Sequence, residues 1–350
     1  MMKTPVKAAV LYGARDVRIE VQRQQQLDPD MVLLRPRRAG ICGSDLHYYE
    51  HGRCGAFVPS RPFVLGHELC AEVVEVGSGV TTLGRGQRVT VNPARCCGYC
   101  EFCRGGRLNL CERVVMLGSA SITPPMDGVF AECVAVRWDQ CHILPVEVDD
   151  AAGAMIEPIA VALHAVKRAR GVSGRRVLVI GGGPIGLLVA TLARAFGAVP
   201  VAVSEIVEAR RKVAAGLGVD AVFDPMANDL AARVGALTGR GFDVIFEASG
   251  SGPGLRSAFD LVRPGGTIVQ VGTFSLSELP ISMNRIMTHE ISLVGSMRYG
   301  EVFGEAIRLV ARGRLKLAPL ISDVFDLDEV AMAMQTATDK AHALKVQLRI

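Results

Sequence analysis

The spacing of apolar and polar positions changes character near residue 177. From Val177 onward, short continuous apolar runs alternate with helical segments, and the clearest predicted strands are Val177 to Ile180, Val199 to Ser204, Phe242 to Ala248 and Thr267 to Val271. Such runs, parted by helices, predict a parallel, doubly wound sheet. Helices are expected over Pro184 to Phe196 and Val207 to Leu217, each followed by a glycine (Gly197, Gly218) placed for a left-handed cap. Before Val177 the runs are shorter: Lys7 to Tyr12, Glu72 to Val76 and Gln87 to Val91 are separated by Gly-rich turns such as Gly77-Ser78-Gly79. That pattern predicts a compact, mainly antiparallel β domain. After about Ile291 no further strand–helix unit is expected. Asp326 to Ala337 reads as a helix leading to a final strand, Ala343 to Leu348, with the tail returning to the first domain. The expected division is therefore 1–158, 159–292 and a returning 293–350.

Length agrees with this division, since 350 residues exceed one ordinary core. The 49% hydrophobic and 21% charged residues fit a globular chain, and a net charge of +4 without a long basic run makes nucleic acid a poor partner. The apolar stretch Val177 to Ala193 approaches the length of a membrane span, but Gly181 to Gly183, Pro184 and the adjacent Arg194 suit a strand, turn and helix better. No membrane partner is expected. Met1 to Pro5 lead straight into a predicted strand without the apolar core of a secretory signal, so a cytoplasmic protein is expected.

All ten cysteines lie between Cys42 and Cys141. In a reducing compartment such clustering points to metal ligands. Cys97-x-x-Cys100-x-x-Cys103 with Cys111 can converge tetrahedrally on one zinc ion, in a lobe of about residues 95–113. Chance would produce four cysteines at fixed spacings at only about 10⁻⁶ per starting point. With four thiolates and no open position, the ion would be structural. Cys96 offers an alternative register to Cys97.

Gly181-x-Gly183-x-x-Gly186, between a strand and a helix, supplies the tight turn and helix N-terminus that receive a pyrophosphate. Pro184 and Ile185 fall inside this turn. Glu205, 19 residues beyond Gly186, is placed to accept from a ribose 2′-hydroxyl and to repel a 2′-phosphate. NAD is therefore expected, with NADP left open by Arg210 and Arg211.

Cys42 in Gly40-Ile-Cys-Gly-Ser-Asp-Leu-His47, His67 in Leu65-Gly-His-Glu68 and Glu157 in Met155-Ile-Glu-Pro158 could form a dispersed three-ligand site with an open position, the arrangement of a catalytic zinc. Taken singly, these side chains read as core or surface residues. Together with the four-cysteine lobe and the glycine turn, in this order, they resemble the zinc-containing medium-chain alcohol dehydrogenases, in the sorbitol and L-idonate dehydrogenase branch. The resemblance covers nearly the whole chain. It implies an α/β fold with a GroES-like, mainly-β catalytic domain and a doubly wound Rossmann domain.

The resemblance further implies that Cys42, His67 and Glu157 hold a catalytic zinc, giving two zinc ions per chain. Glu68 is implied as an exchanging or supporting ligand, and equally reads as a buried carboxylate met by an arginine. Ser44 is implied to take the substrate proton and pass it through the cofactor ribose to His47. Tyr48, Phe57 and Arg298 are implied at the substrate, although both aromatics read equally as core and Arg298 as serving the cofactor. Arg210, Val271, Gly272 and Thr273 join the glycine turn and Glu205 as cofactor positions. Gly118-Ser119-Ala120 with Asp127-Gly128, and Glu157 to Ala165, tilt the expectation toward a sugar acid, as in L-idonate 5-dehydrogenases, ahead of a polyol. Cys54, Cys70 and Val129 depart from the pattern. A small-molecule partner and a homo-dimer or homo-tetramer are expected, and a non-catalytic nicotinamide-binding protein is the alternative of another class.

Overall fold

The computed structural model describes residues 5–23, 27–274 and 278–350, so the expectation at Met1 to Thr4 lies outside the described residues. The chain divides into two compact units, one of residues 1–157, 303–312 and 321–350 and one of 158–302 and 313–320.

The first unit is built on β-sheets. A three-stranded antiparallel sheet orders Asp16–Arg23, Pro5–Gly13 and Phe63–Val64. A seven-stranded sheet runs Cys141–Ile143, Arg88–Val91, Glu68–Val76, Met31–Gly40, Lys345–Arg349 and Ile321–Asp326, with Val134–Arg137 also on Met31–Gly40. Its register sets Gly40 opposite both Glu68 and Gln347. Alternating inward residues such as Leu34, Leu69, Val73, Val89, Phe130 and Leu348 fill one core.

The second unit holds six parallel strands in the order Ala221–Phe223, Val201–Ser204, Val177–Ile180, Phe242–Glu247, Val262–Gln270, Ser292–Gly295. Strand order reverses between Val177–Ile180 and Phe242–Glu247, where doubly wound sheets open a ligand crevice. The expected helices appear as Pro184–Ala195 and Glu208–Gly216, and Gly197 and Gly218 take left-handed φ of +83° and +79°.

Three expectations are corrected. Ser292–Gly295 completes a sixth parallel strand past Ile291, so the second unit runs on to Val302. This edge strand is largely exposed and lacks the continuous apolar run that marked its neighbours. A strand that was not expected, Ile321–Asp326 with alternating burial, precedes the last helix, which begins just after Asp326 as a 3-10 turn Leu327–Glu329 and runs on as Val330–Thr338. Asp326 and Glu329 form a capping box there, with Asp326 N donating to Glu329 Oε2 at 2.9 Å. Finally, the strand expected from Val199 starts at Val201, because Pro200 has no N–H to offer the ladder.

At the end of the sheet opposite the crevice, Asp243 accepts from Arg176 N and Arg176 Nε, each at 2.8 Å, and from Arg263 Nε. The Arg176 hydrogen bond, with Arg263 beside it, holds the Asp243 carboxyl well below its ordinary range. A depressed carboxylate contributes stability above its unfolded pKa of about 4 and loses it as pH falls through the lower folded value. Asp243→Asn should cost ~3 kcal/mol at pH 7, and denaturant melts at descending pH should show the gap to wild type closing below about pH 4.

Candidate functional site

The residues from Cys42 to Gly52 place most of the first unit's candidate chemistry. Cys42 is extended at the N-cap of the helix Gly43–His51, and Asp45 closes the cap by accepting from Cys42 N at 2.9 Å. Gly52, at φ +66°, ends the helix in a left-handed turn. The sulfur therefore sits at the positive end of a helix. Asp45, Tyr48 and Tyr49 form the buried face. Ser44 and His47, three residues apart, share a more exposed one.

Asp45 also ties this helix to the next segment. Its Oδ1 accepts from Gly66 N at 3.1 Å and lies 3.8 Å from His67 Nδ1. Gly66 has φ +90°, and a Cβ there would stand 2.3 Å from the Phe130 ring, so only glycine lets the His67 loop pack this closely. Glu68 begins its strand with its carboxylate over Gly40, where a Cβ would lie 2.0 Å from Oε2. Lys345 Nζ meets Glu68 Oε1 and Oε2 at 2.8 and 2.7 Å and donates to Ile41 O at 3.0 Å, with both side chains at most 3% exposed.

The ligand atoms of Cys42, His67 and Glu68 all lie within 4.8 Å of one another. Glu157, 4% exposed at the start of the helix Ile156–Arg168, stands outside that triplet, but its charge reaches both His67 and Lys345. Burial alone would lower the His67 pKa, yet Cys42, Asp45 and Glu157 together lift it well above the ordinary value. Asp45, Glu68 and Glu157 are buried beside the Cys42 thiol, with Lys345 the buried ammonium among them. A sulfur, an imidazole and a carboxylate brought this close are the donors that suit zinc. The arginine considered as the partner of Glu68 is instead Lys345. Asp45 and Lys345 were both missed as site residues. A lone charged residue in the otherwise uncharged segment Ala343 to Leu348 was the available signal for the second.

In the cysteine lobe, Cys97, Cys100, Cys103 and Cys111 form a second converging set. Cys97 and Cys103 sulfurs are 3.9 Å apart, and backbone N–H groups of Cys97, Cys100 and Arg113 point at sulfurs from 3.3 to 3.4 Å. Hydrogen bonds from the Glu112 and Cys103 backbone pull Cys100 down to about 6, while burial pushes Cys103 up to about 12. Cys96 packs against this set without joining it and donates to Leu108 O at 3.2 Å, so the four sulfurs that converge include Cys97. The sulfurs are themselves the core of this lobe, backed by Phe102, Leu108 and Val114. Cys70 belongs to neither set: it is buried, donates to Asp150 at 3.5 Å, and burial pushes its thiol up to about 12. Burial likewise raises Cys54 to about 11.

In the second unit, Gly181 has φ +101°, and a Cβ on Gly186 would collide with Gly181 O at 1.9 Å, so the turn and the helix starting at Pro184 are held against each other by backbone alone. Gly183 caps that helix and Ile185 lies in its first turn. Buried Glu205 accepts from Gly182 N and, at 2.8 Å, from Val207 N. Arg211 is drawn off by Asp224 at 3.1 Å and by the Glu205 and Ile206 carbonyls. Arg210 stays beside the turn, its Nη1 3.9 Å from a Cβ placed on Gly183. Val271 N and Gly272 N both donate to Glu247 O at 2.8 Å, and Thr273 follows at the same edge of the sheet.

Of the three substrate candidates, Tyr48 is a core residue: it is 1% exposed, packs edge-to-face on Phe63, and its hydroxyl accepts from Ala120 N at 2.9 Å. Of the two readings weighed for it, the core one describes its place. Phe57 is 43% exposed in a two-residue bridge with Cys54. Arg298 belongs to the second unit and takes a left-handed φ of +50°.

Residues 28–146 match the family model described as alcohol dehydrogenase GroES-like domain, and residues 184–312 match the one described as zinc-binding dehydrogenase. The chain is 36% identical to a sorbitol dehydrogenase of Bacillus subtilis, over 98% of this chain and 97% of that one. It is 39% identical to a probable D-xylulose reductase A of Aspergillus terreus, over 93% of each. Among solved structures, L-idonate 5-dehydrogenase of Escherichia coli superposes with a TM-score of 0.93 at 33% identity, covering 100% of this chain and 99% of that one. A zinc-binding dehydrogenase from Sinorhizobium meliloti bound to NADP superposes with a TM-score of 0.91 at 33% identity, over 99% and 100% of the two chains.

Proposed function

The chain belongs to the family of zinc-binding alcohol dehydrogenases with a GroES-like domain, and on that premise we propose that it oxidises a secondary hydroxyl of a polyol or sugar acid. Membership makes it an NAD(P)-dependent oxidoreductase of alcohols. The observation that carries the reading is the convergence of Cys42, His67 and Glu68 at the end of the helix that also bears Ser44 and His47.

Cys42 and His67, with a carboxylate from Glu68 or Glu157, would hold a catalytic zinc, which when bound polarises an alcohol oxygen as a Lewis acid. Cys97, Cys100, Cys103 and Cys111 would hold a second, structural one. The chain's own residues do the rest. Ser44 both accepts and donates, so it takes the hydroxyl proton while releasing its own toward His47. His47 receives it as a neutral imidazole, because burial, with His51 and Lys340 nearby, holds its pKa below the ordinary value. Asp45, with Oδ1 3.8 Å from His67 Nδ1, sets a carboxylate beside the ring. The turn Gly181 to Gly186 with Glu205 would seat the nucleotide. The carboxylate at Glu205 favours NAD, while Arg210 beside the turn keeps NADP a second cofactor to assay.

For the substrate, the curated relatives at 36% and 39% identity bear the names of polyol and ketose enzymes. Those names support sorbitol- and xylitol-type polyols as the first reading. The fold likeness to L-idonate 5-dehydrogenase supports the second reading, oxidation of L-idonate to 5-keto-D-gluconate. Arg298 would be the side chain to meet the carboxylate of such a sugar acid. A homo-dimer or homo-tetramer in the cytoplasm is part of the same proposal, and among the described residues no helix is long and apolar enough to cross a membrane.

The test is NADH formation across polyols and aldonic acids by the zinc-loaded chain, repeated with NADP. Failure with every member of both classes would overturn the reading. The pH profile gives a further check. Because His47 is depressed, the acid limb of kcat/KM should fall below about pH 6.5, and His47→Gln should displace that limb and lower the rate about tenfold or more.

A further inference from the structure

The turn after the strand Phe242–Glu247 carries a carboxylate to which none of the roles above is assigned. Glu247 is fully buried. Its Oε1 accepts from Ser249 N at 2.9 Å and from the Ser249 hydroxyl. Its Oε2 accepts from Gly250 N at 3.2 Å and from Gln270 Nε2 at 2.7 Å. Gln270 Nε2 also donates to Gly272 O at 2.8 Å. One buried anion thus joins the loop after one central strand to the loop after the next.

Backbone crowding shows how close these loops are. A Cβ on Gly181 would lie 2.8 Å from Ser249 N, one on Gly250 2.3 Å from Thr273 O, and one on Gly272 2.4 Å from Gly250 N. Three segments therefore converge without room for a side chain: the phosphate-type turn at Gly181, the turn Ala248 to Gly250, and Val271 to Thr273. They meet at the carboxyl ends of adjacent strands, where doubly wound sheets take their ligands. The sheet's own ladder already joins Phe246 to Val269 and Glu247 to Gln270, so the strands do not depend on this carboxylate for pairing. What the carboxylate adds is a fixed geometry beyond the strand ends. Burying a charge is tolerable only with its hydrogen bonds complete, and here four donors complete them.

We propose that Glu247 and Gln270 are positioning residues for the nicotinamide nucleotide: the carboxylate–amide pair presets the main chain of Ala248 to Gly250 and Val271 to Thr273 that receives the cofactor. The inference rests on the reading of the chain as a nicotinamide-dependent dehydrogenase. Gln270 is the informative member, since a leucine in its place keeps the strand and removes only the bonds to Glu247 and Gly272.

Fluorescence titration of the zinc-loaded full chain with NADH tests this, beside steady-state kinetics and melting without nucleotide. In Gln270→Leu the NADH Kd and the KM for NAD should rise about tenfold, with the alcohol KM unchanged; the nucleotide-free melting temperature should fall by a few degrees, because the buried Glu247 carboxylate loses one of its donors. Ser249→Ala, which removes one donor to the same carboxylate, should shift both nucleotide constants in the same direction by about threefold. It carries the test if the leucine variant folds poorly. Nucleotide constants within twofold of wild type, or an equal loss of affinity for alcohol and nucleotide, would overturn the positioning role while leaving the dehydrogenase standing. A wild-type chain that binds neither NADH nor NADPH would overturn both.

Discussion

Cys42→Ser should lower kcat/KM for the best alcohol by roughly 10³-fold or more and reduce the zinc content from two ions per chain to one. A serine offers a hard hydroxyl oxygen where Cys42 offers a soft sulfur at a helix N-terminus beside His67. Replacing the sulfur removes a soft ligand from a site whose other donors are an imidazole and carboxylates. Polarisation of the alcohol oxygen is worth several kcal/mol of barrier, which is three orders of magnitude in rate. The lobe from Cys97 to Cys111 is a separate, closed set of four sulfurs and should keep its ion. Metal analysis and kinetics on the same sample check both halves. Activity within tenfold of wild type, or two zinc ions retained, would mean the Cys42 set is not the catalytic centre.

The same two sites show how far the chain could be read before its fold was known. The cysteine lobe was legible because its ligands are local: spacing alone constrains where four sulfurs within fifteen residues can go. The glycine turn was legible for a similar reason, since strand, turn and helix follow one another directly and the close contact of Gly186 with Gly181 is a property of that short segment. The dispersed site was legible only through resemblance, because its members are brought together by sheet register. Gly40 stands opposite Glu68 in one pairing and opposite Gln347 in the other. No periodicity in the first strand announces a lysine that arrives some three hundred residues later. The missed strands at Ser292–Gly295 and Ile321–Asp326 have a related cause. Both are exposed along much of their length, so neither shows the unbroken apolar run of a buried parallel strand. Tyr48 illustrates the converse: a position on the reactive helix suggests substrate, but its ring is buried and consumed by edge-to-face packing on Phe63.

Lys345 therefore gives the sharpest test of how the returning strand serves the site. Lys345→Met keeps the length and apolar stem of the side chain but leaves the Glu68 carboxylate, 1% exposed, and the Ile41 carbonyl without the ammonium that meets them at 2.7 to 3.0 Å. Removing one member of a buried pair typically costs about 3–5 kcal/mol, because the remaining charge stays desolvated. Denaturant unfolding of the first unit should show a loss of that size, and Lys345→Arg should recover most of it by offering a cation to the same two oxygens. The pair itself, apart from packing, is isolated by adding Glu68→Gln. If the penalty is an uncompensated anion, the double variant should be more stable than Lys345→Met alone by about 2 kcal/mol or more. Were the single and double variants equally destabilised, the methionine would be acting through shape, and the lysine would owe its place in this strand to something other than Glu68.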